Sequence, residues 1–228
     1  ENRVALLPYR QVPDSMDFRL IRAKVGAMQG TPDEAVRIFE EKSADASSSA
    51  QTAARYGLVV ALLRAHRYER AQKEMASLRA AAAPSAIIEN LSAQLRIELG
   101  QHAAAQAQYA EALKRFPQHR ALAYGYAETL LQNRQEATAA TFLAEQLQQH
   151  LSDYHFYELQ ANTFAAQGKS LLTHKAKAEA YARTGNIPAA LEQLQIALKS
   201  PDGDFYQLSM VEARLKELQA LDAETRKK

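Results

Sequence analysis

The 228-residue sequence contains no cysteine and no tryptophan, and only eight glycines and seven prolines. The absence of cysteine excludes disulfides and thiol chemistry, although it leaves the cellular compartment open. A low content of glycine and proline favours helices. The formal net charge is only +2, with acids and bases interspersed, so the basic stripe typical of nucleic-acid-binding domains is missing. No apolar run approaches the roughly 18–20 residues that span a bilayer.

The stretch 85–117 contains two short helical patterns joined by a turn. Apolar residues at steps of three and four run through residues 88–99, and a second stripe with Ala105 and Ala112 follows the break at Gly100. Small side chains stand where the two helices would approach each other closely. This pattern is typical of a tetratricopeptide repeat, a helix–turn–helix unit of about 34 residues.

Turn residues recur along the chain at nearly constant spacing. Successive turn positions are separated by 36, 34, 34 and 34 residues: Gly30, His66, Gly100, Arg134 and Gly168. The residues five positions later are small and keep the same spacing: Ala35, Ala71, Ala105, Ala139 and Thr173. The sequence therefore predicts an all-α fold, a right-handed superhelical solenoid of about five to six tetratricopeptide-type helix pairs with a C-terminal capping helix.

The spacing of turn residues halves near the C-terminus. Gly185 follows Gly168 by 17 residues, so we expect the helix over about 170–183 to close the fifth unit and open a sixth. A helix over 204–221 with a polar outer face, N-capped by Asp204, would end the array. The predicted units are 17–46, 51–84, 85–118, 119–152, 153–184 and 170–201.

Two segments outside the helical patterns are predicted to be irregular. Residues 1–16 contain two prolines and no helical period, which indicates an extended lead-in or linker. The serine- and alanine-rich stretch 43–50 indicates a connecting loop. Because the sequence starts without methionine and without a leader, we expect it to be a fragment of a longer protein.

The first unit contains two helical stripes and a predicted cap. Thr31 is the expected N-cap of the second helix, with Pro32 at its first position and Glu34 in its first turn. The inner stripe of that second helix is predicted to include Ile38. The first helix is predicted from apolar residues at helical spacing: Phe18, Ile21, Val25 and Met28.

The first helices of such an array line its concave surface, where partners usually bind. Projecting the repeat onto this sequence predicts a polar and aromatic face suited to an extended peptide or a neighbouring domain. Its predicted members are Lys24, Tyr56, Arg64, Asn90, Gln94, Tyr124, Glu128, His155, Glu158 and Asn162. The alternative interpretation is that most of these side chains are ordinary solvated residues, because few residues dominate an interface.

Catalytic and ligand-binding motifs are missing from the sequence. It contains no HExxH, no glycine-rich phosphate loop and no nucleophile elbow, so we expect no catalytic, cofactor-binding or metal-binding residue. His150 and His155 would permit a metal role, but a helix start within an aromatic cluster is the favoured interpretation. The Lys and Asn pairs with which some tetratricopeptide domains grip a C-terminal carboxylate are not reproduced, so such capture is not expected.

Three stretches have a more specific pattern: residues 7–25, 153–201 and 204–219. A doubled helix before Gly185 and a terminal helix with Asp-Phe-Tyr and Glu-Ala-Arg-Leu are uncommon among tetratricopeptide repeats. In these stretches the chain resembles the C-terminal region of BepA-like (YfgC-like) proteins. These are periplasmic β-barrel assembly-enhancing zinc metalloproteases of metallopeptidase family forty-eight. The resemblance covers essentially the whole chain and is most specific in its last third.

The resemblance implies a periplasmic parent protein whose zinc protease domain, absent here, would carry HExxH and the zinc. Residues 1–228 would then be a non-catalytic interaction domain, and 1–16 the linker from that protease domain. The expected partners are the protein's own protease domain, the outer-membrane barrel-assembly machinery and unfolded outer-membrane proteins, with no nucleic acid and no transmembrane segment.

Two other hypotheses remain open at the level of sequence. The chain could be a stand-alone tetratricopeptide scaffold for pilus or outer-membrane lipoprotein assembly, unrelated to any protease. It could also be an enzyme in its own right, which the missing motifs disfavour.

Overall fold

The computed structural model describes residues 14–45 and 48–225, and every regular element within them is an α-helix. The chain divides into two compact units, Glu1–Gly100 and Gln101–Lys228. In the described part of the first unit the helices are α1 Met16–Ala27, α2 Pro32–Asp45, α3 Ser48–Arg64, α4 Tyr68–Ala81 and α5 Ala86–Glu98. Those of the second unit are α6 His102–Arg115, α7 Arg120–Gln132, α8 Glu136–Gln149, α9 Tyr154–Ala166, α10 Ser170–Arg183, α11 Ile187–Leu198 and α12 Phe205–Thr225. The predicted all-α architecture of recurring helix pairs is confirmed.

Every predicted turn residue has a left-handed backbone conformation. The φ angles lie between 55° and 78° at all six positions: Gly30, His66, Gly100, Arg134, Gly168 and Gly185. Glycine adopts this conformation without steric cost, whereas a side chain at positive φ brings its Cβ too close to the backbone. The repeat therefore imposes the same turn geometry on His66 and Arg134 that glycine provides elsewhere.

Replacing Arg134 by glycine is expected to raise the free energy of unfolding by about 1 kcal/mol, because the turn then loses its steric penalty. Arg134→Ala separates this backbone effect from the loss of the side chain and should bring no such gain. Urea titrations of the two variants and the wild type measure the difference. A glycine variant no more stable than the alanine variant would contradict the explanation.

The small residues five positions after each turn are buried. Ala35, Ala71, Ala105, Ala139 and Ala190 are at most 1% exposed, and Thr173 is 6% exposed. A side chain no larger than these lets two helices of a unit pack closely. The spacing that predicts the repeat therefore marks its helix contacts.

The predicted caps are present. The Glu34 amide donates to Thr31 Oγ1 over 3.3 Å, and the Thr31 amide donates to Glu34 Oε2 over 3.0 Å, which is a capping box at α2. The hydrogen bond from the Thr31 amide to the carboxylate, with a further contribution from the Thr31 side chain, lowers the pKa of Glu34. The Gln207 amide donates to Asp204 Oδ1 over 2.7 Å, so Asp204 caps α12 as expected.

The predictions for the irregular segments have different outcomes. Most of the lead-in over 1–16 lies outside the described residues; within its last three, Ser15 accepts from the Phe18 amide and caps α1. The loop predicted over 43–50 is wrong, because α2 continues to Asp45 and α3 begins at Ser48. Alanine is the strongest helix former, and the Ser43 hydroxyl donates to the Glu40 carbonyl within α2, so helices accommodate the serines and alanines at 43–45 and 48–50; residues 46–47 lie outside the described part.

The buried face of α1 is not the face that carries most of its large apolar residues. The buried side chains are Leu20, Ala23 and Ala27. The apolar stripe is 46–56% exposed: Phe18, Ile21, Val25 and Met28. On α2, Phe39 is buried but Ile38 is 42% exposed, so its placement on the inner stripe is wrong. Within this unit α1 and α2 both pack on α3, which leaves their outer apolar residues uncovered.

The second unit contains the helix that the halved spacing predicts. The bounds of α10 are Ser170–Arg183, and it packs against both α9 and α11. Arg183 ties α10 to the turn between α8 and α9, since its Nε donates to the Leu151 carbonyl over 2.8 Å. Its guanidinium also lies over the Tyr157 ring of α9. The last helix, α12, packs on α11 through Val211 and Leu218, which are at most 3% exposed.

Candidate functional site

Two of the predicted contact residues in the first unit have structural roles. Tyr56 is 2% exposed and lies in the core of the unit, where burial raises its pKa to about 12. Arg64 is half-buried, and its guanidinium donates to the backbone carbonyls of Ala27 over 2.5 Å and Gly30 over 3.2 Å. It thereby satisfies carbonyl groups left open at the end of α1 and in the following turn.

The other predicted residues of the first unit lie at its surface. Lys24 on α1 and Asn90 on α5 are half-buried, and Gln94 on α5 is exposed. The pocket among α1, α2 and α3 contains none of the three.

The structure brings four of the five predicted residues of the second unit together in one open groove of about 580 Å³. Its lining comes from α7, α9, α10 and α11, and we call it the Glu128 groove. The predicted residues in its lining are Glu128, His155, Glu158 and Asn162. Apolar side chains, including Leu131 and Leu159, complete the part of the lining that α7 and α9 provide.

Acidic side chains dominate the part of the groove formed by α7 and α9. His155 Nδ1 lies 2.9 Å from Glu158 Oε2, and its Nε2 lies 4.0 Å from Glu128 Oε1. The Glu128 carboxylate is half-exposed. Burial raises the pKa of Glu128, and the nearby His155 opposes this shift. Glu128 and Glu158 therefore give this part of the groove its negative charge, and their contact with a partner stays a prediction.

The helices α10 and α11 supply groove residues that the sequence prediction missed. Lys177 and Tyr181 lie four residues apart on α10, and Tyr181 is 40% exposed. Gln193 of α11 also lines the groove, and its Oε1 lies 2.8 Å from His174 Nδ1. The sequence prediction considered only the first helix of each complete pair. It also expected α10 to open a sixth unit, and a helix in that position lines the groove as well.

Tyr124, the fifth predicted residue of this unit, lies outside the groove lining and packs against His155. Its hydroxyl donates to Asp153 Oδ2 over 2.5 Å, and its ring packs edge-on against His155 with ring centroids 4.5 Å apart. Burial and the neighbouring Asp153 raise the pKa of Tyr124. Its hydroxyl, through Asp153, and its ring thus position His155.

Asp153 is the acceptor at the centre of this support. The side chain is 6% exposed and accepts hydrogen bonds from Tyr124, from Arg120 over 3.1 Å and from the His155 amide over 3.1 Å. Burial raises the pKa of Asp153, but the hydrogen bonds from these three groups outweigh it, so the net shift is downward. Asp153 is also the N-cap of α9.

Replacing Asp153 by asparagine is expected to lower the free energy of unfolding by about 1 kcal/mol at pH 7, because a charged acceptor is replaced by a neutral one. A lowered native-state pKa gives stability that is present above the unfolded-state value of about 3.9 and is lost as the pH falls through the native-state value. The difference between wild type and variant should therefore hold from pH 7 to about 5 and shrink towards pH 3.

Urea titrations at several pH values measure this difference, with Glu145→Gln on the exposed surface of α8 as the control. A difference that stays constant down to pH 3 would contradict the role of the Asp153 charge.

A second pocket, of about 410 Å³, lies in the first unit among α1, α2 and α3. Three cationic side chains, Arg19, Arg22 and Lys42, line it together with several alanines. Arg22 pairs with Asp14 over 3.2 Å, and Lys42 lies over the Phe39 ring. We therefore regard the Glu128 groove as the better candidate site.

Within residues 14–45 and 48–225, no three His, Cys, Asp or Glu side chains are grouped so as to hold a metal ion. None of the helices over that part of the chain combines the length and the apolar character needed to cross a membrane.

Comparisons with known proteins agree with this architecture. The family model described as tetratricopeptide repeat matches residues 27–95 and 96–163, more than half of the chain. Among solved structures, the chain is similar to YrrB, described as a TPR protein with an unusual peptide-binding site. The TM-score is 0.55 at 13% identity, with 79% of this chain and 90% of YrrB covered.

The TPR domain of P58(IPK) matches with a TM-score of 0.32 at 14% identity, with 93% of this chain and 80% of that chain covered. A search of curated proteins finds no match. Tetratricopeptide repeats are protein–protein interaction scaffolds, a fold without catalytic chemistry of its own. The chain belongs to the tetratricopeptide repeat family.

Proposed function

We propose that this chain is a protein-binding module whose Glu128 groove holds an extended segment of a partner protein. The observation that carries the proposal is the groove itself: an open volume of about 580 Å³ with carboxylates, an amide and apolar side chains on neighbouring helices. Polar groups of this kind give a bound segment its orientation, and the apolar lining contributes affinity. YrrB, which has the same fold, is described as having a peptide-binding site, and peptide binding is extended to this chain as part of the proposal.

The resemblance to BepA-like proteins motivates a finer proposal. In it, the chain is the non-catalytic interaction domain of a periplasmic zinc metalloprotease. It docks on the protease domain and binds outer-membrane proteins or the barrel-assembly machinery. Zinc would belong to that absent domain. The alternative is a stand-alone scaffold for pilus or outer-membrane lipoprotein assembly.

The reading frame upstream of Glu1 separates the two finer proposals. An HExxH motif encoded in the same frame supports the protease parent. A signal peptide directly upstream of Glu1 contradicts it and supports the stand-alone scaffold.

Peptide binding to the groove can be tested without knowing the partner. A displayed random peptide library is selected on the chain, and the enriched peptides are measured by fluorescence anisotropy. Asn162 is exposed and lines the groove, so Asn162→Trp should fill the groove and weaken binding about tenfold or more. Glu145→Trp, on the exposed surface of α8, should not change it.

Two results would contradict the proposal. One is a library from which no peptide is enriched. The other is enriched peptides that bind the wild type, Asn162→Trp and Glu145→Trp equally well.

A further inference from the structure

The Glu128 carboxylate has no hydrogen-bond partner among the described residues. The nearest basic nitrogen is His155 Nε2, at 4.0 Å, and His155 Nδ1 already lies 2.9 Å from Glu158 Oε2. A carboxylate that is partly removed from water without a donor favours the arrival of a cation. Burial raises the pKa of Glu128, as expected for a carboxylate without a hydrogen-bond donor beside it.

The charges that line the groove are unequal. Apart from His155, the lining holds two carboxylates, Glu128 and Glu158, against one ammonium, Lys177. Lys177 forms no ion pair within 4.0 Å in the described part of the chain, so it neutralises neither carboxylate by direct contact. The lining formed by α7 and α9 therefore presents negative charge to a bound segment.

Apolar side chains accompany these carboxylates. Leu131 lies one turn after Glu128 on α7, and Leu159 directly follows Glu158 on α9; both line the groove. Lysine and arginine carry an aliphatic stem below a charged head, and the stem packs on apolar surface while the head reaches a polar group. The groove matches both parts of such a side chain.

We infer that the Glu128 groove selects a lysine or arginine of the bound segment, with the cation at Glu128 and Glu158 and the stem along Leu131 and Leu159. This inference rests on the proposed function, since it names the chemistry of the segment that the groove binds. Charge complementarity of this kind gives a complex its specificity and its register. The occupant is a polypeptide segment that carries a basic residue.

A positional peptide library tests the inference. Pools that differ only in one fixed residue, arginine, lysine, glutamine or glutamate, are compared for binding to the wild-type chain. The arginine and lysine pools should bind about tenfold tighter than the glutamine pool, as expected for one hydrogen bond to a charged group, and the glutamate pool should bind least. Raising the salt concentration should reduce the preference.

Matched variants locate the preference. Glu128→Gln keeps the shape of the side chain and should reduce the ratio of arginine-pool to glutamine-pool binding from about tenfold to near one. Glu145→Gln removes an exposed carboxylate from α8 and should leave the preference intact.

The outcomes distinguish this inference from the proposed function. Pools that bind the groove with no basic preference, or a preference that Glu128→Gln leaves intact, would overturn the inference while peptide binding stands. Pools of which none binds would overturn both.

Discussion

Replacing Gly57 by alanine is expected to lower the free energy of unfolding by about 2 kcal/mol. A Cβ atom at this position of α3 would lie 2.2 Å from Cε1 of Phe39 and 2.8 Å from its Cζ. Phe39 is 4% exposed within the first unit, so the ring has little room to move away. The usual gain in helix stability from glycine to alanine, about 0.5–1 kcal/mol, does not offset this overlap.

Gly26 provides a matched control against the same ring. A Cβ there would lie 3.4 Å from Phe39 Cζ, which is an ordinary contact. Gly26→Ala should therefore be neutral or slightly stabilising in the same urea titration. Adding Phe39→Leu to Gly57→Ala should make the loss smaller than the sum of the two single losses. A Gly57→Ala variant as stable as Gly26→Ala would contradict the packing described for α2 and α3.

Replacing Glu179 by alanine is the second change with a large expected effect. The Glu179 carboxylate accepts from Arg183 Nη1 on its own helix over 2.5 Å, and from Arg214 Nε on α12 over 2.8 Å. The side chains of Arg183 and Arg214 are less than a quarter exposed. Removing their shared partner leaves two guanidinium groups poorly solvated. We expect a loss of about 2 kcal/mol, below the roughly 3–5 kcal/mol found for fully buried pairs.

The loss should be concentrated at the last helix. Because Glu179 ties α10 to α12, the amides of α12 should exchange with deuterium faster in Glu179→Ala than in the wild type. Glu217→Ala serves as the control, because Glu217 is the other carboxylate paired with Arg214 and its side chain is 67% exposed. This variant should lower the free energy of unfolding by less than about 0.5 kcal/mol. Equal effects of the two variants would contradict the bridging role of Glu179.

Much of the fold was predictable from the sequence because each repeat unit has two local requirements. A turn at positive φ must recur at each unit, and a small residue must follow where helices touch. These requirements predicted the six turn positions and the limits of α10. Capping is equally local, and Thr31 and Asp204 were identified from their neighbours alone.

The errors come from contacts that periodicity does not specify. Spacing shows that α1 is amphipathic, but not that α3 contacts its alanines and leaves Phe18 and Val25 exposed. Projection of the repeat placed Tyr56 and Arg64 on a binding face, yet one packs in the core and the other binds the carbonyls of a turn. A repeat template assigns positions to a surface, whereas local packing decides which of their side chains are free.

The lining of the groove was likewise predictable only where it belongs to regular repeat units. Glu128, Glu158 and Asn162 were predicted because α7 and α9 are regular first helices of their units. Lys177 and Tyr181 were missed because α10 belongs to two units at once. The irregular end of the array therefore adds a cation and an aromatic ring to the acidic lining that the regular repeats provide.

Hydrogen–deuterium exchange with and without an enriched peptide tests the central claim most directly. The account predicts slower exchange on peptide binding in α7, α9 and α10, with α6 and α8 unchanged. Protection confined to α6 and α8, or to the first unit, would show that the partner binds elsewhere and would contradict the account.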